Sequence, residues 1–140
     1  MELVRLRFEH GAPAAAARRV VRDALRAWKA EHLTDDAMVI TTELVQNVTQ
    51  HTINGGELLL ALQPGLIRIE VADTNPAIPR PLDLDAHRSG GRGMQIVAAM
   101  AQRWGSRAAV WAGHTGKVVW AELKINPGRA AAAVRTPAAA

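Results

Sequence analysis

The sequence predicts an α+β fold, a two-layer α/β sandwich with helices stacked on one face of a mixed, mostly antiparallel sheet. Three observations carry this. Short apolar stretches with strand character stand at residues 3–8, 57–63, 66–73, 108–111 and 117–123. Apolar residues at helical spacing fill three longer stretches, 14–31, 34–52 and 94–104. The later strands come in pairs joined by glycine-containing turns, which makes them antiparallel neighbours.

The elements follow in order. Leu3 to Phe8 alternates apolar and basic residues, as an edge strand with one wet face does. Gly11 and Pro13 punctuate it, and proline suits a helix start. The first helix, Ala14 to Glu31, gathers Ala17, Val20, Val21, Ala24, Leu25 and Trp28 on one face and Arg18, Arg22, Arg26 and Lys29 on another. Thr34 reads as the N-cap of the second helix, with Asp35 and Asp36 in a first turn whose dipole favours carboxylates. Asn54-Gly55-Gly56 ends it near Thr52.

Glu57 to Gln63 and Leu66 to Asp73 form a hairpin around Pro64-Gly65. The Pro-rich stretch 74–91 is a loop long enough to suggest function. The third helix is expected over Met94 to Trp104, stopped by Gly105. A second hairpin pairs Ala108 to Trp111 with Lys117 to Leu123 around Gly113-His114-Thr115-Gly116. All four tryptophans, Trp28, Trp104, Trp111 and Trp120, are read as core or interface residues. One domain spanning 1–125 is expected, with 126–140 an Ala/Pro/Arg-rich disordered tail.

Composition narrows the function classes. The chain has 140 residues and no cysteine, which excludes disulfides and thiolate metal sites. No apolar run approaches the ~20 residues of a membrane span. The opening MELVRLRFEH lacks a signal-peptide profile. A soluble, cytoplasmic protein is expected, with no membrane partner. The net charge of +4 is a modest pointer toward anionic ligands. No pair of histidines has zinc-ligand spacing, and neither Ser89 nor Ser106 sits in a nucleophile elbow. The arginine stripe of the first helix comes without a helix-turn-helix or RNA-binding motif, so direct nucleic-acid binding is not the expectation.

Three segments carry polar chemistry. In ELVQNVTQH, residues 43–51, Glu43, Asn47 and His51 recur every four residues and share one helical face. An amide oxygen at Asn47 suits Mg²⁺, which combines few protein oxygens with phosphates and waters. Glu43, one turn earlier, is placed to take a proton or align a nucleophile. In VADTNPAIPR, residues 71–80, Asp73 ends a strand, either capping the loop or accepting from an amino group of a flat ligand. In GGRGMQIV, residues 90–97, glycines open a helix whose free N–H groups favour an anion. That segment is neither a dinucleotide fingerprint nor a P-loop.

Taken together and in this order, ELVQNVTQH, DTNPAIP and GGRGMQIVAAMAQRWG resemble the N box, the following box and the glycine box of the GHKL ATPase/kinase superfamily. The last of them, with the closing GHTGKVVWAEL, is most similar to the branch of small bacterial anti-sigma-factor serine/threonine kinases. The resemblance spans nearly all of residues 10–124. It implies a Bergerat-type sandwich holding ATP and Mg²⁺. By position, Asn47 would bind the metal and Glu43 would act as base or positioner. Asp73 would accept from the adenine amino group. Gly91, Arg92, Gly93 and Met94 would border the phosphates, Thr115 would reach the adenine side, and Pro79 would begin an ATP lid running to Gly90. A sigma factor or an anti-sigma antagonist protein would be the partner, with a homodimer as a further expectation. This sequence departs from the pattern at Asn75 and Ala77, where glycines are usual, and at Val48, where alanine is usual. The departures keep open an alternative: a nucleotide-binding module without phosphoryl transfer that regulates transcription through protein–protein contact.

Overall fold

The computed structural model describes residues 2–11, 14–51, 54–76 and 93–126, the side chains of 50 and 51 apart. Strand β1 (Glu2–Phe8) leads to α1 (Ala15–Ala27), a 3-10 turn (Glu31–Leu33) and α2 (Thr34–His51). Then come β2 (Gly56–Gln63), β3 (Leu66–Asp73), α3 (Gly93–Met100), β4 (Arg103–Trp111) and β5 (His114–Lys124). The five strands form one sheet in the order β1-β2-β3-β5-β4. Every pairing is antiparallel, so the expected mixed sheet is antiparallel throughout the described residues. The α+β sandwich stands as expected.

Register explains where the core lies. Val4, Leu60, Ile69 and Ala121 are successive cross-strand partners, and so are Leu6, Leu58, Val71 and Val119. Side chains in one such row share a face. These rows meet Val21 and Leu25 of α1, Ile40, Leu44, Val45 and Val48 of α2, and Val97 of α3 in a single apolar cluster. Leu58, Leu60, Ile67 and Ile69 have no exposed area, so truncating any one to alanine should cost about 2–5 kcal/mol.

The opposite face of the sheet carries paired charges. Arg68 donates to Glu70 at 2.6 Å and to Glu122 at 2.8 Å, and Arg107 donates to Glu70 at 3.2 Å. The Arg68 guanidinium lies 4.2 Å from the centre of the Trp120 ring, with Arg103 on the same ring at 5.6 Å. Trp111 likewise meets Arg7 at 5.1 Å. The expectation that all four tryptophans are core or interface residues is met by two at the core. Trp28 and Trp104 pack against the core, whereas Trp111 and Trp120 are stacked by arginines.

Other boundaries differ for identifiable reasons. α1 stops at Ala27, four residues before the expected end at Glu31. Ala30 N–H donates to Leu25 O at 2.8 Å and Lys29 N–H to Arg26 O at 3.2 Å, the two bonds of a Schellman motif. Lys29 holds the left-handed position, φ 56°, where glycine is the usual signal. Thr34 is not an N-cap. Its φ of −58° and ψ of −48° are already helical, because the 3-10 turn runs straight into α2. α3 ends at Met100, and Trp104 and Gly105 belong to β4 rather than to a helix. Gly105 faces Trp120, whose Cζ2 would lie 2.7 Å from an added Cβ, so the glycine makes room for a ring. The second hairpin turns at Ala112-Gly113, φ 52° and 78°, which leaves His114, Thr115 and Gly116 inside β5. α1 begins at Ala15, one residue after the expected start, and Pro13 and the tail from 127 lie outside the described residues.

The arginine stripe of α1 is partly spent on internal packing. Arg18 donates to the Thr42 hydroxyl at 3.2 Å and Arg22 reaches the Met38 sulfur at 3.9 Å, both on α2. No described helix is long and apolar enough to cross a membrane.

Candidate functional site

α2 supplies the first part of the site. Its buried residues Ile40, Leu44, Val45 and Val48 fix one face against the sheet, which leaves Glu43 and Asn47 half-buried beside it. Glu43 points at the first residue of α3. A Cβ built on Gly93 would lie 2.6 Å from Glu43 Oε2, closer than carbon and oxygen approach. Only glycine lets the carboxylate sit this near the helix start, where the dipole favours negative charge. Two residues fifty positions apart, both expected at the phosphate end of a nucleotide site, are thus brought together. Met94 follows Gly93 with its side chain 3 % exposed in the apolar core.

β3 and β5 supply the second part. Along β3 the inward positions are Ile67, Ile69, Val71 and then Asp73, which continues the core row with a carboxylate. Its cross-strand partner is Lys117. The two are 1 % and 2 % exposed and form an ion pair. Lys117 Nζ donates to Asp73 Oδ1 at 3.1 Å, to Asp73 Oδ2 at 2.9 Å and to the Asn75 carbonyl at 3.0 Å. Those are all the donors an ammonium has. Asp73 Oδ1 also accepts from the Asn75 N–H at 2.8 Å, an Asx-turn contact that closes the strand end. Gly116 permits the arrangement, since a Cβ there would fall 1.9 Å from the Asp73 carbonyl oxygen.

Asn54, just past α2, donates to the Thr74 hydroxyl at 3.3 Å, so the C-terminal end of α2 is tied to the end of β3. Of the residues expected at the site, Glu43 and Gly93 are in contact, Asn47 lies one turn along the same helix face, and Asp73 closes the neighbouring strand. Thr115 is exposed on β5 beyond the last β3 partner, beside the hairpin turn, and pairs with Val110. Pro79, Gly91, Arg92 and the expected lid lie outside the described residues, as does the His51 side chain.

Sequence reasoning missed Lys117. The signal was present, since a lysine occupies the inward register shared by Val119, Ala121 and Leu123. It becomes visible only once β5 is placed beside β3, because the pairing joins residues 44 positions apart. Among the described residues no group of three or more His, Asp or Glu side chains converges as a metal site. An open cleft of about 400 Å³ is lined by Arg7, His10, Asn54, Thr74, Trp111 and His114 among others. None of the expected site residues lines it.

Adenine and Mg²⁺ would ask different things of these residues. The phosphate end fits: Glu43 and Asn47 are reachable and Gly93 opens a helix. The base end presents a carboxylate that is already paired and enclosed, since both Asp73 oxygens accept from Lys117 at 1 % exposure.

No protein-family model matches the chain. No curated protein sequence matches it. Among solved structures, it is similar to the histidine kinase domain from the Erythrobacter litoralis EL346 blue-light activated histidine kinase, with a TM-score of 0.48 and 17 % identity. That similarity covers 84 % of this chain and 63 % of the other, so the chain spans less than two thirds of that domain.

Proposed function

We propose that this chain is an ATP-binding regulatory protein of the anti-sigma kinase type, working through a cleft between α2, α3 and the sheet. The observation that carries the reading is the contact of Glu43 with Gly93 at the start of α3, with Asn47 one turn along α2. A carboxylate, an amide oxygen and a glycine-opened helix are the groups that magnesium-assisted phosphoryl transfer uses. Bound ATP would supply the γ-phosphoryl group and Mg²⁺ would offset its charge. Asn47 would hold the metal. Glu43 would align the serine or threonine hydroxyl of an antagonist protein and take its proton as the phosphoester forms and ADP leaves.

The test is calorimetric titration with Mg-ATP, wild type beside Asn47→Ala, followed by γ-phosphate transfer to candidate antagonists. Binding by the wild type and at least a tenfold loss in the variant are expected, equal to about 1.4 kcal/mol. Equal titrations would remove Asn47 from the site. An unchanged transfer rate in Glu43→Ala would remove Glu43 from catalysis.

The Asp73–Lys117 pair favours a second reading. With the base end internally satisfied, the chain acts as a protein-binding module with weak nucleotide affinity and no transfer. Partner capture that is indifferent to ATP, with no phosphorylation of the captured protein, would select it.

A further inference from the structure

We infer that Lys117 is a specificity-determining residue that occupies the purine-amino position of the cleft and competes with adenine for Asp73. The inference rests on the nucleotide-cleft reading above and adds to it a residue outside the expected site. An acceptor meant for an exocyclic amino group needs a carboxylate lone pair that the ligand can reach. Here both Asp73 oxygens accept from the same ammonium, at 3.1 and 2.9 Å, and Oδ1 accepts also from the Asn75 N–H. The ammonium is satisfied in turn by the Asn75 carbonyl at 3.0 Å. Among these contacts one acceptor site of Oδ2 remains, and at 1 % and 2 % exposure the pair encloses it away from solvent.

The competition is unequal. Hydrogen bonds to a charged donor are stronger than those to a neutral amino group, roughly twofold in energy. Stability alone does not demand the pair, because buried ion pairs are often replaceable by apolar side chains of similar size. The strand-end position is also the one place where the apolar row Ile67, Ile69, Val71 gives way to charge. A lysine at this point holds the carboxylate buried and paired. An adenine nucleotide therefore meets a carboxylate that is enclosed and shared with a stronger donor.

The experiment uses two ligands that differ at the 6-position of the purine. ATP carries the amino group, and inosine triphosphate carries an oxygen. Mg-ATP and Mg-ITP are titrated into the full chain as wild type, Lys117→Thr and the double variant Lys117→Thr/Asp73→Asn, each first shown to melt cooperatively. Wild type is expected to bind the two nucleotides with affinities within about threefold of each other. Lys117→Thr is expected to bind ATP at least tenfold more tightly than wild type does, about 1.4 kcal/mol, with ITP unchanged. The double variant should lose that preference, because its residue 73 no longer carries the carboxylate acceptor.

Should Lys117→Thr melt below the assay temperature, Lys117→Gln makes the same comparison with more side-chain volume and a neutral donor. A folded Lys117 variant whose ATP affinity and ATP-to-ITP ratio match wild type overturns the inference. If both proteins then bind ATP well and Asn47→Ala binds poorly, the nucleotide reading survives without it. If no variant binds either nucleotide, both fall together.

Discussion

Removing the ammonium of Lys117 should be among the most damaging single changes to the described fold. Lys117→Met keeps a long side chain at a position 2 % exposed but deletes three hydrogen bonds at once. It strands the Asp73 carboxylate at 1 % exposure with the Asn75 N–H still donating to it. Breaking a buried pair from one side costs about 3–5 kcal/mol, most of it the desolvation of the surviving charge. Against a total stability of roughly 5–15 kcal/mol for a domain, that is a third or more of what holds the protein folded. Asp73→Leu should cost a similar amount for the mirror-image reason. The double variant Lys117→Met/Asp73→Leu removes both charges, so its loss should fall within about 2 kcal/mol of wild type. Urea unfolding of all four proteins, extrapolated linearly, gives the coupling energy directly. Equal m-values confirm that the same surface is exposed in each. Two single variants within about 1 kcal/mol of wild type and additive in the double would refute the reasoning. The pair would then be solvated or absent in solution.

Three further outcomes follow from backbone and space. Lys29→Gly relieves a left-handed residue inside a Schellman motif and should raise stability by about 0.5–1 kcal/mol, read as a higher urea midpoint. Ala112→Asn turns the β4–β5 hairpin tip into Asn-Gly, the sequence suited to two positive φ angles, and should raise the melting temperature by a few degrees. Gly116→Ala forces a methyl to 1.9 Å from the Asp73 carbonyl oxygen, against backbone that cannot step aside, and should cost roughly 3 kcal/mol or more. A Gly116→Ala protein as stable as wild type would mean that β3 and β5 do not meet in this register.

The fold was legible because most of its signals are local. β3 was bounded to the residue, since Pro64-Gly65 marks one end and Asp73 the other. β1, β2 and α2 came within a residue or so of their observed limits. What failed was punctuation carried by unusual residues. Lys29 ends a helix where glycine or asparagine would be looked for, and Gly105 sits inside a strand to admit a tryptophan ring. Residues 94, 97, 101 and 104 fit helical spacing, yet 103–111 pair with β5, because Trp104 and Arg103 gain partners there that a helix would not offer.

Of the site, the half written on α2 was readable, because a carboxylate, an amide and an imidazole at four-residue spacing share one face of a helix whose other face is apolar. The Gly93 contact was foreseen as a convergence of segments, and the distance came from the structure. The base end was half readable. Asp73 was visible as the end of a strand, but its partner depends on β5 lying between β3 and β4, an order no local pattern encodes.

That strand order also sets a timetable. β5, the last of the described strands to be synthesised, is an interior strand of the sheet, with β3 on one side and β4 on the other. Until it leaves the ribosome, one long edge of β3 has no neighbour and β4 has none at all. Such a topology postpones closure of the molecule to its final steps and rewards slow, non-local search over local zippering. A nascent chain halted at residue 113 should present an unprotected β3 margin, the kind of surface that chaperones cover and that strands of other molecules can join.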